Sequence, residues 1–146
     1  MKMLLDTMVV SELRKVRRGS TAPNFALWAE RTNLSLCYIS VITVHEIERG
    51  VRLTEHRDPF QGLVYRSWLD DVLEAFHSRI WALTTPAAII SGGFHVPNPA
   101  PLADSLIAGT AADQHATIVT RNTKDFSRFG VPLLDPWDTP TPPYAE

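Results

Sequence analysis

Met3, Leu4 and Leu5 form an uninterrupted apolar run that stops at Asp6, and a run without alternation reads as a short strand buried on both faces. Directly after it the period changes. Val9, Val10 and Leu13 recur at helical spacing behind Thr7, a capping residue type, and the pattern closes on Arg14, Lys15, Arg17, Arg18 and Gly19, cations that suit a helix carboxyl end. Pro23 opens a second helical stretch through Phe25, Leu27 and Trp28 to Arg31, and residues 34–39 read as a second apolar strand. Ser40 marks a boundary. Ile42, Ile47, Gly50 and Val51 then define an inward sector over residues 41–53 that includes Glu46.

Asp58-Pro59 opens the longest helical pattern, residues 60–78, with Leu63, Val64, Trp68, Leu69, Val72, Leu73 and Phe76 three and four apart. That helix is expected to be scaffold. Residues 80–83 predict a third strand, 86–90 a short helix that gives way at Gly92-Gly93, and the three prolines of 96–101 a loop. A helix over 102–115 follows, carrying Leu106, Ile107, Ala108, Ala111 and Ala112, then a fourth strand at 117–120, a loop or short helix at 122–128, and an edge strand at 131–134. From Pro136 onward four prolines predict a surface-hugging or loose tail. Strand alternating with helix throughout predicts an α/β protein, a three-layer α/β/α sandwich around a mainly parallel sheet. At 146 residues the chain is expected to be one domain.

Composition narrows the class of partner. Hydrophobic residues at 45% and charged residues at 21% are globular values. The net charge of −2 gives no overall basic excess, so a polyanion has to be met by a local patch. The single cysteine, Cys37, rules out an internal disulfide and suits a reducing compartment as a small core residue. Asp6, Glu12 and Arg14 interrupt the first apolar stretch before signal-peptide length, and nothing approaches the roughly 18 apolar residues of a membrane span. A soluble, cytoplasmic protein is expected.

Three acids carry the candidate chemistry. Each has an ordinary explanation alone: Asp6 as a helix cap, Glu46 as the end of a capping box in Thr43-Val44-His45-Glu46, and Asp104 in a first helical turn. All three nevertheless fall where an element begins or ends beside the carboxyl edge of one sheet, where open parallel sheets gather ligands. Three carboxylates converging within about 4 Å repel by roughly 4 kcal/mol per pair at an effective dielectric of 20, more than the ~1 kcal/mol a cap returns. A divalent cation resolves that conflict. Oxygen-only ligation selects a hard ion, Mg²⁺ or Mn²⁺.

Other chemistries fail on spacing. A zinc helix begun by His45-Glu46 needs histidine at 49, which is Arg49, and a phosphatase built on Asp6 needs an acid two residues on, which is Met8. Neither a phosphate loop nor a nucleophile elbow is present. His56, His77, His95 and His115 lie in unrelated contexts and read as surface or core residues.

Four blocks follow one another in a recognisable order: Leu4-Leu5-Asp6-Thr7-Met8-Val9-Val10-Ser11-Glu12-Leu13, Ile39-Ser40-Val41-Ile42-Thr43-Val44-His45-Glu46-Ile47, Leu102-Ala103-Asp104-Ser105-Leu106-Ile107-Ala108 and Val119-Thr120-Arg121-Asn122-Thr123-Lys124-Asp125-Phe126. Together with the terminal Asp135-Pro136-Trp137 they resemble the PIN-domain ribonuclease toxins of the VapC/FitB type. The resemblance implies that Asp6, Glu46 and Asp104 are metal-binding, catalytic acids. Asn122 stands where many members place a fourth acid and others an Asn, with Asp125 in support. It also implies that Thr120 is a small polar residue near the metal and that Ser40 and Thr43 are hydroxyls bordering the acidic pocket. One departure is Met8, where the family usually has Asn after the Asp-Thr pair.

The activity so implied is hydrolysis of single-stranded or looped RNA by one or two Mg²⁺ or Mn²⁺ ions, with Glu46 or Asp104 orienting the water. Arg121 and Lys124, then Arg14, Lys15, Arg17 and Arg18, are the candidate phosphate contacts. Trp28, Trp68, Trp81 and Trp137 are available for base stacking, with Trp68 and Trp81 expected in the core. The partners implied are an antitoxin whose basic tail enters the acidic pocket and a second copy in a homodimer, with the first helices and Phe25, Leu27 and Trp28 supplying the surfaces. No membrane partner is implied. The alternative is a PIN-like RNA- or protein-binding module without catalysis, for which Asn122 and Met8 speak.

Overall fold

The first strand, β1 (Met3–Leu5), is buried along its whole length and becomes the centre of the sheet, as an all-apolar strand must when both its faces are covered. The computed structural model describes residues 1–138. In it β1 pairs on one side with β2 (Cys37–Ser40), Met3 opposite Cys37, and on the other with β4 (Thr117–Val119), Leu5 opposite Val119. Short strands β3 (Ile80–Trp81) and β5 (Leu133–Leu134) complete a five-stranded sheet of order β3-β2-β1-β4-β5 with every pairing parallel. The chain therefore winds outward from β1 to β3, crosses back, and continues from β4 to β5 on the other side. The strand order reverses between β1 and β4, and ligands gather at the carboxyl ends flanking such a reversal.

Side chains of successive strand residues point to opposite faces. Leu5, Ile39 and Val119 join a core with α1 (Thr7–Val16), α2 (Pro23–Arg31), α3 (Val41–Arg57) and α4 (Pro59–Ala75) through Val9, Phe25, Trp28, Ile47 and Leu69. Leu4 and Ile118 join the opposite core, with Ile107 and Ala108 of α6 (Leu102–Gln114) and Phe126 of α7 (Thr123–Phe126). These are the three layers expected. No helix among the described residues is long and apolar enough to cross a membrane.

Several boundaries differ from the sequence pattern. The strand expected at 34–39 starts at Cys37, because the Asn33 side chain accepts from the Ser35 N–H and hydroxyl and winds Leu34–Leu36 into a 3-10 turn. α3 runs on to Arg57 and stops at Asp58, whose carboxylate caps α4 through the Gln61 N–H. Leu63 and Val64, placed inward by periodicity, are exposed. The first turns of α4 pack against α3, through the close approach of Gly62 to Glu55 and the bridges from Arg66 to Glu48 and Glu55, and leave Leu63 and Val64 on the outer side. Thr84 caps α5 (Thr85–Gly93) through the Ala87 N–H, so Gly92 and Gly93 form its last turn instead of breaking it. Of the two alternatives for the segment from Pro136, Pro136 and Trp137 take the packed one: Trp137 rests on Phe25 with ring centroids 4.5 Å apart, and its carbonyl accepts from Asn24. Residues 139–146, the rest of the proline-rich segment, lie outside the described residues.

Gly109 sets the spacing of α5 and α6. A Cβ there would stand 2.5 Å from the Ala87 carbonyl oxygen, which is backbone and cannot rotate away. Gly109→Ala is therefore expected to destabilise by about 1–3 kcal/mol as α5 is pushed off. Gly50→Ala, at an open position of α3 with nothing within 4 Å, is expected to stabilise by roughly 0.5–1 kcal/mol. Urea denaturation of the two variants checks the pair.

Candidate functional site

Asp6 leaves the carboxyl end of β1 and caps α1. Its Oδ1 accepts the Thr7 N–H at 2.8 Å and its Oδ2 the Thr120 hydroxyl at 2.9 Å. Thr120, just past β4 and fully buried, accepts the Asn122 N–H in turn. The reversal point is thus stitched together by one carboxylate. Burial pushes the Asp6 carboxyl above its ordinary range, the bonds from Thr120 and Thr7 pull it back in part, and the charge of Glu46 adds to the rise.

Glu46 does not close a capping box, because α3 begins two residues before Thr43. Ser40 is its cap, accepting the Ile42 N–H. That puts Glu46 in the second turn, where its Oε1 accepts the Thr7 hydroxyl at 2.6 Å. The same hydroxyl lies 3.0 Å from that of buried Thr43. Thr7, read from sequence as a cap, is instead the first residue of α1 and the link between two acids. A hydroxyl directly after a strand-end acid was the only sequence signal for that role.

Asp104 lies in the first turn of α6. Its carboxyl is pushed upward by burial first, then by the charges of Asp6, Glu46 and Asp125. The charges of Asp6 at the end of β1, Glu46 of α3 and Asp125 of α7 thus all reach Asp104 of α6 across the sheet edge. Among the described residues no three of them close into a ready-made cage for an ion. They stand where through-space charge couples them, and their donors are oxygen alone, the set that suits a hard divalent cation. Asn122 caps α7 through its carbonyl, with its side chain exposed and making no capping bond.

The candidate cations divide. Arg121 is exposed next to Thr120, and its guanidinium lies over the Trp137 ring, 5.2 Å from the centroid. Lys124, Arg17 and Arg18 are exposed. Arg14 instead lies over Tyr65 and Trp68 in the groove between α1 and α4, and Lys15 bridges to Glu12. Of the tryptophans, Trp28 is buried and Trp81 stacks on Tyr38 at 4.1 Å. Phe25 and Trp28 are core residues and do not supply a partner surface.

No family model matches the chain. The chain is 43% identical to Ribonuclease VapC14 of Mycobacterium tuberculosis over 77 residues, 52% of this chain and 72% of the relative. It is 30% identical to VapC ribonuclease Y4jK of Sinorhizobium fredii over 146 residues, covering 92% and 97%. Its fold superposes on the crystal structure of FitAcB from Neisseria gonorrhoeae with a TM-score of 0.82 at 29% identity, covering 94% of this chain and 99% of that one.

Proposed function

The chain belongs to the PIN-domain family of VapC and FitB toxins, and from that premise we propose that it is a divalent-metal-dependent endoribonuclease, the toxin of a toxin–antitoxin pair. The observation that carries this reading is the link at the sheet edge, where Thr7 ties Asp6 to Glu46 through its N–H and its hydroxyl, while burial first and then the charges of Asp6, Glu46 and Asp125 push the Asp104 carboxyl upward. Acids from residue 6 to residue 125 bear on one electronegative site, and such a site repels a phosphodiester unless a cation stands between them.

Asp6, Glu46 and Asp104 would hold Mg²⁺ or Mn²⁺, with Asn122 or Asp125 beside them. When bound, such an ion lowers the pKa of its water and polarises a phosphoryl oxygen. The residues have separate tasks. Thr120 and the Thr7 N–H fix both oxygens of Asp6, and the Thr7 hydroxyl fixes one oxygen of Glu46. Asp104 makes no side-chain hydrogen bond among the described residues, so its carboxylate is open to an ion and to water. Glu46 or Asp104 would orient the attacking water. Arg121, braced on Trp137 beside the acids, meets a neighbouring phosphate of a single strand.

The antitoxin partner is supported by a groove of about 510 Å³ between α1, α2 and α4, lined by Val10, Leu13, Ala29, Trp68 and Val72 with Arg14 at its side. Self-association falls to the exposed Phe60 and Leu63 of α4. The reading places its action in the cytoplasm, where RNA is the substrate and Cys37 stays reduced.

Purified protein is expected to cut single-stranded RNA only when Mg²⁺ or Mn²⁺ is supplied, and chelation with EDTA is expected to stop it. Failure to cut any RNA with either metal would leave a binding module without catalysis.

A further inference from the structure

Residues 94–101, between α5 and α6, carry three prolines, and a proline offers no N–H to hold a loop in place. The loop is nevertheless tied from two sides. His95 Nδ1 accepts the Ala100 N–H at 3.2 Å, which assigns the ring proton to Nε2. Nε2 lies 2.9 Å from Ser105 Oγ and donates to it. Ser105 also accepts from the Ser91 hydroxyl at 3.1 Å and passes its own proton to the Leu102 carbonyl at 2.7 Å. The His95 Nε2 proton and both serine hydroxyl protons are donated within this group, and Ser105 and Ser91 are buried. The next residue back from Ser105 is Asp104.

Arg128 closes the other side. Its guanidinium donates to the carbonyls of Asn98 at 2.8 Å, Pro99 at 3.0 Å and Phe94 at 3.1 Å. It does so from the 3-10 turn at Ser127–Phe129 that follows α7, the helix bearing Asp125. A planar fork can span three carbonyls where a compact ammonium cannot.

We propose that His95 and Arg128 are positioning residues of the acid site. His95 sets the first turn of α6 and with it Asp104, and Arg128 fixes the loop against the segment that carries Asn122 and Asp125. This rests on the metal-dependent reading above. Groups that orient metal-binding carboxylates typically change metal affinity or activity by about 10–100-fold when lost.

The test titrates Mn²⁺ into the parent, His95→Phe, His95→Gln and Arg128→Lys by calorimetry, at a temperature where circular dichroism shows all four folded, beside kcat and KM for RNA. His95→Phe keeps a ring but no donor or acceptor, and is expected to weaken Mn²⁺ binding about tenfold and to lower kcat with KM unchanged. His95→Gln keeps one donor and one acceptor and is expected to recover most of both. Arg128→Lys is expected to fall between them. Equal Mn²⁺ affinity in the parent and His95→Phe overturns this inference alone. A parent that binds no Mn²⁺ removes the metal reading and this inference with it.

Discussion

Asp104→Asn is expected to lower kcat/KM for RNA cleavage by about a thousandfold, equivalent to about 4 kcal/mol of transition-state stabilisation, while making the metal-free protein more stable. The two effects have one cause. Burial and the charges of Asp6, Glu46 and Asp125 hold the Asp104 carboxyl above its unfolded value. An acid in that position costs stability when ionised at neutral pH, and the cost is relieved as pH falls through the raised folded value. Asparagine removes the cost, so in EDTA at pH 7 the variant melts higher than the parent, and its advantage shrinks as the solution is acidified. Saturating Mn²⁺ reverses the order, because only the parent gains the free energy of binding. Thermal melts with and without metal, beside an RNA cleavage assay, read all of this. Undiminished cleavage, or a variant that melts lower in EDTA, would take Asp104 out of the site.

Trp28→Ala is expected to cost about 3–5 kcal/mol, enough to unfold a marginal domain. Trp28 is 1% exposed and packs against Phe25 at 5.5 Å, which in turn supports Trp137 and, over it, Arg121. Its indole Nε1–H is buried and has no partner among the described residues. Trp28→Phe is therefore expected to cost less than its lost volume suggests, since an unpaired polar group leaves with it. Urea midpoints of the two variants separate the volume term from the polar one. Similar losses for both would mean that the indole N–H is satisfied in solution.

Much of the sheet could be read directly from residue order. Met3, Leu4 and Leu5 are apolar without alternation because both faces of a central parallel strand are covered. The bias of α1 toward cations at its carboxyl end likewise needed no tertiary knowledge. Periodicity was a weaker guide to exposure. Leu63 and Val64 have helical spacing yet face solvent, because spacing tells which residues share a face and not whether another element covers it. Gly109 gave no sign of its role, since the atom that forbids a side chain there belongs to Ala87, on another helix.

The acids divide along the same line. Asp6 stood out because it ends a strand, and Asp104 because it opens a helix; both are local facts. That Thr7 spends its hydroxyl on Glu46 and not on a cap, that His95 reaches Ser105, and that Arg14 lies over Tyr65 and Trp68 away from the acids are consequences of parallel crossovers joining residues far apart in the chain. Local sequence determined the elements and the acids at their ends, because strand, helix and cap preferences act within a few residues. Only the tertiary structure decided which side chains face those acids, because hydrogen bonds and charge act through space, along directions that residue order does not record.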